Sequence, residues 1–160
     1  MLKTRQFRPQ LEQLGERINP TSPHFISASS ALGSAGELTA SFKEAGLGDN
    51  VTITVELSTD ANAQYTAINK GGNKPQGQPF QVPPITLTAS GDFSSGKNGN
   101  VVGSLTIQPP PPPQDFLDAV KSPNWVAQLD VSYQNVTLTD MTNGVSVGLA
   151  SQSGTFIVKA

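Results

Sequence analysis

The segment Val51-Thr52-Ile53-Thr54-Val55-Glu56-Leu57 decides the fold, because large apolar side chains alternate in it with small hydroxyl or charged ones. Since side chains on a β-strand alternate between its two faces, this order gives the strand one dry face and one wet face. The segments 85–88, 102–107 and 136–139 repeat the pattern. Such alternation is typical of antiparallel sheets that cover a core on one side only. The sequence therefore predicts an all-β protein.

Length and turn signals predict a single antiparallel β-sandwich, Ig-like or jelly-roll-like. A chain of 160 residues is long enough for one complete core and short for two ordinary domains. Breaks rich in Gly, Pro and Asn separate the strand candidates at the spacing of a sandwich. The predicted strands are 25–31, 36–43, 51–58, 63–68, 84–93, 100–107, 125–133, 136–140, 145–149 and 154–159. We expect residues 25–160 to form this domain and residues 1–24 to form an extended N-terminal arm.

Three connections carry their own signals. Gly96-Lys97-Asn98-Gly99 predicts a hairpin, because Asn-Gly accepts the positive φ angles of tight turns. Lys70 opens a polar loop that we expect to reach Pro84. The run Pro109 to Pro113 predicts a polyproline II segment that crosses between two sheets, since proline has no N–H for a strand ladder. Helix is expected only at 9–18 and 114–121.

Composition excludes several classes of partner and cofactor. Charged residues are 14% of the chain and the net charge is -2, so we expect neither nucleic acid nor an anionic membrane surface as a partner. No run approaches the roughly 20 apolar residues of a membrane-spanning helix. With no cysteine and with His24 as the one histidine, the chain lacks the ligand set of a zinc or copper site. We therefore predict no metal and no cofactor.

Catalytic motifs are missing as well. No serine lies in a Gly-x-Ser-x-Gly elbow, and neither glycine-rich segment follows the phosphate-loop pattern. Most aspartates flank turns, where they bond to the backbone. A calcium site that uses Asp49, Asp60 and nearby carbonyls is a weaker alternative. The sequence favours a protein that is not an enzyme, with its large aromatics in the core: Trp125, Tyr133, Phe93, Phe42 and Phe156.

The first 24 residues differ from the rest in pattern and charge. Four apolar residues fall on one stripe of a predicted short helix: Phe7, Leu11, Leu14 and Ile18. All the arginines lie here too: Arg5, Arg8 and Arg17. With Lys3 against Glu12 and Glu16 the segment carries four positive and two negative charges, a net +2. The remaining six lysines and ten carboxylates give the body -4.

Two functions remain open. The first is a non-catalytic structural protein, extracellular or on a cell surface, whose arm docks on a neighbouring subunit through the stripe and the arginines to build a filament, coat or oligomer. The alternative is a secreted module that binds a carbohydrate or a protein through the loops 69–84 and 108–124. Four residues would contact the ligand in that case: Tyr65, Asn73, Lys74 and Trp125.

Four stretches form recognisable motifs: Phe42-Lys43-Glu44-Ala45-Gly46-Leu47-Gly48-Asp49-Asn50, Ile68-Asn69-Lys70-Gly71-Gly72-Asn73-Lys74-Pro75, Phe93-Ser94-Ser95-Gly96-Lys97-Asn98-Gly99 and the stretch from Val131 to Gly144. With these motifs the chain resembles a family of small secreted bacterial β-proteins with no established activity. The resemblance implies a β fold and export, and it supplies no catalytic residue. Relatives often carry cysteines where Ala67 and Ser122 stand here, which implies a disulfide that this chain cannot form.

Overall fold

The computed structural model describes residues 22–71, 79–121 and 124–158. In chain order its elements are β1 (His24–Leu32), β2 (Leu38–Ala45), β3 (Thr52–Asn69), β4 (Phe80–Ser94), β5 (Val101–Ile107), α1 (Gln114–Ala119), β6 (Trp125–Asp140), β7 (Val145–Gly148) and β8 (Gln152–Val158). The predicted residues of the arm's stripe and its arginines lie outside the described residues, as do Asn73 and Lys74.

Two antiparallel sheets pack face to face, which confirms the predicted all-β sandwich. The smaller sheet has the order β1-β2-β5. The larger has the order β4-β3-β6, and both β7 and β8 pair with the outer edge of β6. Inward positions of the strands alternate with outward polar ones, so the core lies between the sheets.

The two central strands of the larger sheet are longer than predicted. Residues 51–58 and 63–68 belong to the one strand β3, and residues 125–133 and 136–140 to the one strand β6. The polar residues at these breaks mark β-bulges, since the β3–β6 register shifts between Ser58 and Asp60. Asn135, which has φ 51°, lies opposite that shift. A bulge inserts an extra residue without ending the strand. The turn-forming residues at these positions predicted strand ends, although the strands continue through them.

The predicted hairpin at 96–99 is wrong. This segment turns tightly, with the amide of Gly99 donating to the carbonyl of Gly96 at 3.1 Å. However, β4 before it and β5 after it belong to different sheets. The Gly and Asn residues of this segment can form the same tight turn in a hairpin within one sheet and in a crossover between two sheets. The proline run, in contrast, crosses between the sheets as predicted, since it leads from β5 towards β6.

The predicted aromatic core is confirmed. Tyr133 and Phe42 are buried, and Phe93, Phe156 and Trp125 are partly buried against the same core. Phe42 and Phe93 meet edge to face with ring centroids 5.1 Å apart. Edge-to-face pairs of this kind add to the stability gained from burial.

Gly103 makes this aromatic packing possible. A Cβ at this position would lie 2.5 Å from Cε1 of Phe93 and 2.8 Å from Cζ of Phe42. We expect Gly103→Ala to lower the free energy of unfolding by about 1–3 kcal/mol, because rigid rings must move. Gly148→Ala is the control, since no atom lies within 4 Å of a Cβ there. Denaturant unfolding compares the two, and equal stabilities would contradict the packing.

Candidate functional site

The two loops that the sequence singled out meet at one end of the sandwich. The amide of Lys70, after β3, donates to the carbonyl of Asn124, just before β6, at 3.1 Å. Phe80, the first residue of β4, packs edge to face on Phe116 of α1, with centroids 5.5 Å apart. Since β4 begins at Phe80, the first loop is shorter than the predicted 69–84. We call this region the proline end.

The short helix α1 closes the proline end. Pro113 precedes it in an extended conformation, and its carbonyl accepts from the amides of Phe116 and Leu117. The helix is six residues long, and Phe116 is its buried residue. A helix this short is not stable alone. Its position therefore depends on Phe116, whose ring also lies 5.3 Å from that of Tyr65.

An apolar pocket of about 260 Å³ lies beneath the proline run. Pro109, Pro111 and Pro112 line one side of it. The rings of Tyr65 and Phe116 line it as well, together with three aliphatic side chains of β6 and β8: Ala127, Leu129 and Val158. Among the lining residues of the described chain, Gln108 and Tyr65 alone carry polar side-chain atoms. The pocket is chemically suited to hold an apolar group.

Tyr65 is not the exposed ligand contact that the sequence suggested. It is 3% exposed, and its hydroxyl donates to the carbonyl of Pro110 at 2.6 Å. Burial raises the pKa of this phenol above its usual value. Tyr65 therefore fixes the proline run over the core. The signal was present in the sequence, since Tyr65 continues the inward positions of Ala61 and Ala63.

Trp125 lies at the same end and faces inward. It is partly buried against the core and pairs in register with Asn69. Alternation along β6 puts Ala127 and Leu129, which line the pocket, on the same face. Trp125 is thus two residues from the pocket wall, and its fluorescence is a natural reporter of binding there.

The turn between β1 and β2 forms the rim of the pocket. Ala35 lines the pocket and is exposed, whereas its exposed neighbour Ser34 does not line it. Gly36 follows with φ 87°, a conformation that favours glycine. Its carbonyl accepts a 2.8 Å hydrogen bond from the buried hydroxyl of Tyr133. The turn is therefore held against the core, and this end of the molecule is preformed.

A second surface is the outer face of the larger sheet, which is polar and acidic. Four carboxylates lie on it: Glu56, Asp60, Asp92 and Asp130. The described strands of this sheet contain no Lys, Arg or His. Asn135 and Thr86 donate to Asp60 at 2.8 and 2.7 Å and hold the pKa of its carboxyl below the usual value.

A shallow groove of about 390 Å³ crosses this acidic face. It is lined mainly by amide, hydroxyl and carboxylate side chains from β3, β4, β6 and β8, among them Asn62, Gln64, Gln81 and Asp130. Many of these groups bond to one another across the strands, as Gln81 does to Gln64 and Thr155 to Asp130. Among the described residues, no aromatic side chain lines the groove.

The alternative calcium site is not assembled. Asp49 lies exposed in the connection between β2 and β3, whereas Asp60 lies eight residues along β3 from Thr52, roughly 26 Å at the rise of a strand. Within the described ranges no group of three or more His, Cys, Asp or Glu residues is positioned to hold a metal. In the same residues, no helix has the length and apolar character needed to cross a membrane.

Sequence reasoning missed a pair of carboxylates inside the sandwich. Glu44 and Asp140 are both fully buried, one on each sheet. Each follows a run of inward apolar residues with the period of a strand, Leu38-x-Ala40-x-Phe42 before Glu44 and Val136-x-Leu138 before Asp140. A carboxylate at an inward position of such a run was the available signal.

Comparisons with known proteins do not assign a class. No family model matches the chain, and no curated protein matches it. One solved structure, the sporulation control protein Spo0M from Bacillus subtilis, aligns with a TM-score of 0.22 and 9% sequence identity. The alignment covers 86% of this chain and 48% of Spo0M, so the chain spans about half the length of that protein. A likeness at this level carries no inference about fold or function.

Proposed function

We propose that this protein is a non-catalytic binding module that takes up an apolar side chain of a protein ligand at the proline end. The observation that carries the proposal is the preformed pocket of about 260 Å³, lined by Pro109, Pro111, Tyr65 and Phe116. Ligand sites are concave and mostly apolar, with few polar groups. The volume suits one large aliphatic or aromatic side chain.

Rigidity of the walls supports this choice. The proline run has a fixed backbone, and the hydroxyl of Tyr65 bonds to it. The opposite rim is bonded to Tyr133 through Gly36. A site that is ordered before binding loses little conformational entropy when the ligand arrives, which favours affinity.

A protein ligand fits the pocket better than a carbohydrate. Sugars need several hydrogen-bonding groups and gain from stacking on an exposed aromatic face. Tyr65 is buried with its hydroxyl occupied, and Trp125 faces the core. Gln108 is left as the one exposed polar side chain of the lining. We include in the proposal the extracellular or cell-surface location that the family resemblance implies.

The rim residue Ala35 offers a test that leaves the core intact. Peptides are selected on the immobilised protein from a random display library and then synthesised. We expect them to share a large apolar residue and to lose at least tenfold in affinity for Ala35→Glu, because the variant places a carboxylate at the pocket mouth. Ser34→Glu is the matched control, with the same charge one residue outside the lining.

Two outcomes would remove this proposal. Selection that yields no binder argues against a binding module. Peptides whose affinity is unaffected by Ala35→Glu, or equally reduced by Ser34→Glu, bind elsewhere on the surface. Quenching or shift of Trp125 fluorescence on titration with the peptide gives an independent readout at the proline end.

Self-assembly through residues 1–24 is the second candidate, and the charge distribution of the sheets favours it. The acidic outer face of β3, β4 and β6 carries four carboxylates and no described cation, whereas all three arginines lie in residues 1–21. Opposite charges on an arm and a sheet face steer encounter between copies. In this candidate the apolar stripe from Phe7 to Ile18 supplies the contact itself.

A further inference from the structure

Glu44 is an enclosed carboxyl group without a hydrogen-bond donor among the described residues. It is 0% exposed, and neither Oε1 nor Oε2 has a hydrogen-bond partner in the described residues. In register, Glu44 lies between Phe25 of β1 and Val101 of β5, which are both apolar. Buried polar groups are normally satisfied, so this one requires an explanation.

The carboxyl of Asp140, which is also 0% exposed, lies close enough to Glu44 to interact with it electrostatically. Asp140 is already an acceptor of three hydrogen bonds. Its Oδ1 accepts from the amides of Thr142 at 2.8 Å and Asn143 at 3.1 Å, and its Oδ2 accepts from the side-chain amide of Asn143 at 2.6 Å. A carboxylate has about four acceptor sites, so one remains on Asp140.

No described cation faces this pair. The ionisable groups of the neighbouring segments are exposed or lie on the outer face of β2: His24, Lys43, Asp49 and Lys97. Two ionised carboxylates would then face each other with no described positive charge beside them and no hydrogen-bond donor for Glu44, which is strongly unfavourable. Desolvation first, and the nearby charge of Asp140 second, raise the pKa of Glu44 from 4.5 to about 7.

We propose that Glu44 is protonated and donates a hydrogen bond to the remaining acceptor site of Asp140, so that one proton joins the two sheets inside the sandwich. In this bond the carboxyl of Glu44 keeps its proton and donates, and a carboxylate oxygen of Asp140 accepts the hydrogen bond. Loss of that proton to solvent leaves two like charges between the sheets. The pair is therefore a pH-sensitive link.

The link lies at the end of the sandwich opposite the proline end. The strand β2 starts at Leu38, three residues after the rim residue Ala35, and Glu44 lies near its other end. Two crossovers close this end, residues 46–51 and 95–100. They are bonded to each other: the amide of Leu47 donates to the carbonyl of Gly99 at 3.1 Å, and the hydroxyl of Ser95 donates to the carbonyl of Gly48 at 2.7 Å. Deprotonation should loosen these crossovers and leave the pocket unchanged.

The direction of the pH effect follows from the two states. Below pH 4.5 Glu44 is protonated in both the folded and the unfolded chain. Between pH 4.5 and about 7 the unfolded chain releases the proton and the folded one keeps it, so stability falls as pH rises. Above about pH 7 both states ionise and the loss is complete.

The test compares the wild type with Glu44→Gln, whose amide donates to Asp140 without titrating. From pH 4.5 to 7.5 we expect the folding equilibrium constant of the wild type to fall roughly a hundredfold relative to Glu44→Gln, from denaturant unfolding at each pH. Glu56→Gln, on the outer sheet face, should track the wild type. Hydrogen-exchange protection of the amides of Leu47 and Ser95 should fall above pH 7 in the wild type and in Glu56→Gln, but not in Glu44→Gln.

Carbon-13 detection of the side-chain carboxyls of the wild type keeps the test decisive should Glu44→Gln fold poorly. The Glu44 Cδ signal should titrate near pH 7. Titration near pH 4.5, or equal pH dependence of the wild type and Glu44→Gln, would overturn the proposal. Stabilisation by Ca²⁺ at pH 7.5 that Glu44→Gln abolishes would also overturn it, because the pair would then hold a cation in place of the proton.

Discussion

Replacing Phe116 by alanine is expected to lower the free energy of unfolding by about 3–5 kcal/mol, the range for truncating a fully buried phenylalanine. Phe116 is 0% exposed and contacts the rings of Tyr65 and Phe80. It is also the buried residue through which α1 attaches to the sandwich. The variant therefore loses packing and the closure of the proline end together. Chemical denaturation followed by circular dichroism measures the loss.

Ile157→Ala is the control for this prediction, because Ile157 is 60% exposed and its truncation should change stability by less than about 0.5 kcal/mol. Phe116→Leu keeps most of the buried volume and should fall between the two. A loss below about 1 kcal/mol for Phe116→Ala would mean that the proline end is not held by this ring.

If the arm joins neighbouring copies, removing residues 1–20 is expected to abolish self-association while the sandwich stays folded. Burial of each stripe residue from Phe7 to Ile18 contributes on the order of 1.5–3 kcal/mol before ordering costs are subtracted. Leu11→Asp with Leu14→Asp should have the same effect, because it places unpaired carboxylates in the contact. Sedimentation velocity gives the oligomeric state of each variant.

A matched control uses the same charge change away from the stripe. Gln6→Asp with Gln13→Asp places the same two charges at positions that do not belong to the apolar stripe, so assembly should persist. Raised salt should slow assembly more than it weakens the final contact, since the charge term acts mainly on encounter. A full chain that is monomeric at high concentration, or a truncated chain that assembles equally well, would exclude this candidate.

Much of the fold was predictable from the period-two alternation, because a single buried face dictates which residues point inward. The strand boundaries at 58–63 and 133–136 were not, because Asp, Asn and Gln mark bulges as well as turns. Whether residues 96–99 form a hairpin or a crossover depends on which sheet β5 joins. That choice is determined by packing between strands that are distant in the sequence.

The candidate site was predicted in part. The sequence placed a candidate ligand site on the loops 69–84 and 108–124, and in the structure these two segments are in contact through Phe80 and Phe116. The pocket itself was not foreseen, because it needs the rim at Ala35, more than 70 residues from the proline run, to lie against β6. The charge pattern of the sequence likewise does not predict that Glu44 and Asp140 lie close together, because no local sequence feature relates β2 to the end of β6.

The most direct measurement of the central claim is nuclear magnetic resonance mapping of a display-selected peptide on the isotope-labelled protein. We expect amide shifts to concentrate at the proline end, at Ala35, Gln108, Phe116, Ala127 and Leu129, with little change near Glu44. Shifts centred instead on Asn62 and Ser132, on the acidic sheet face, would contradict a binding module whose pocket lies beneath the proline run.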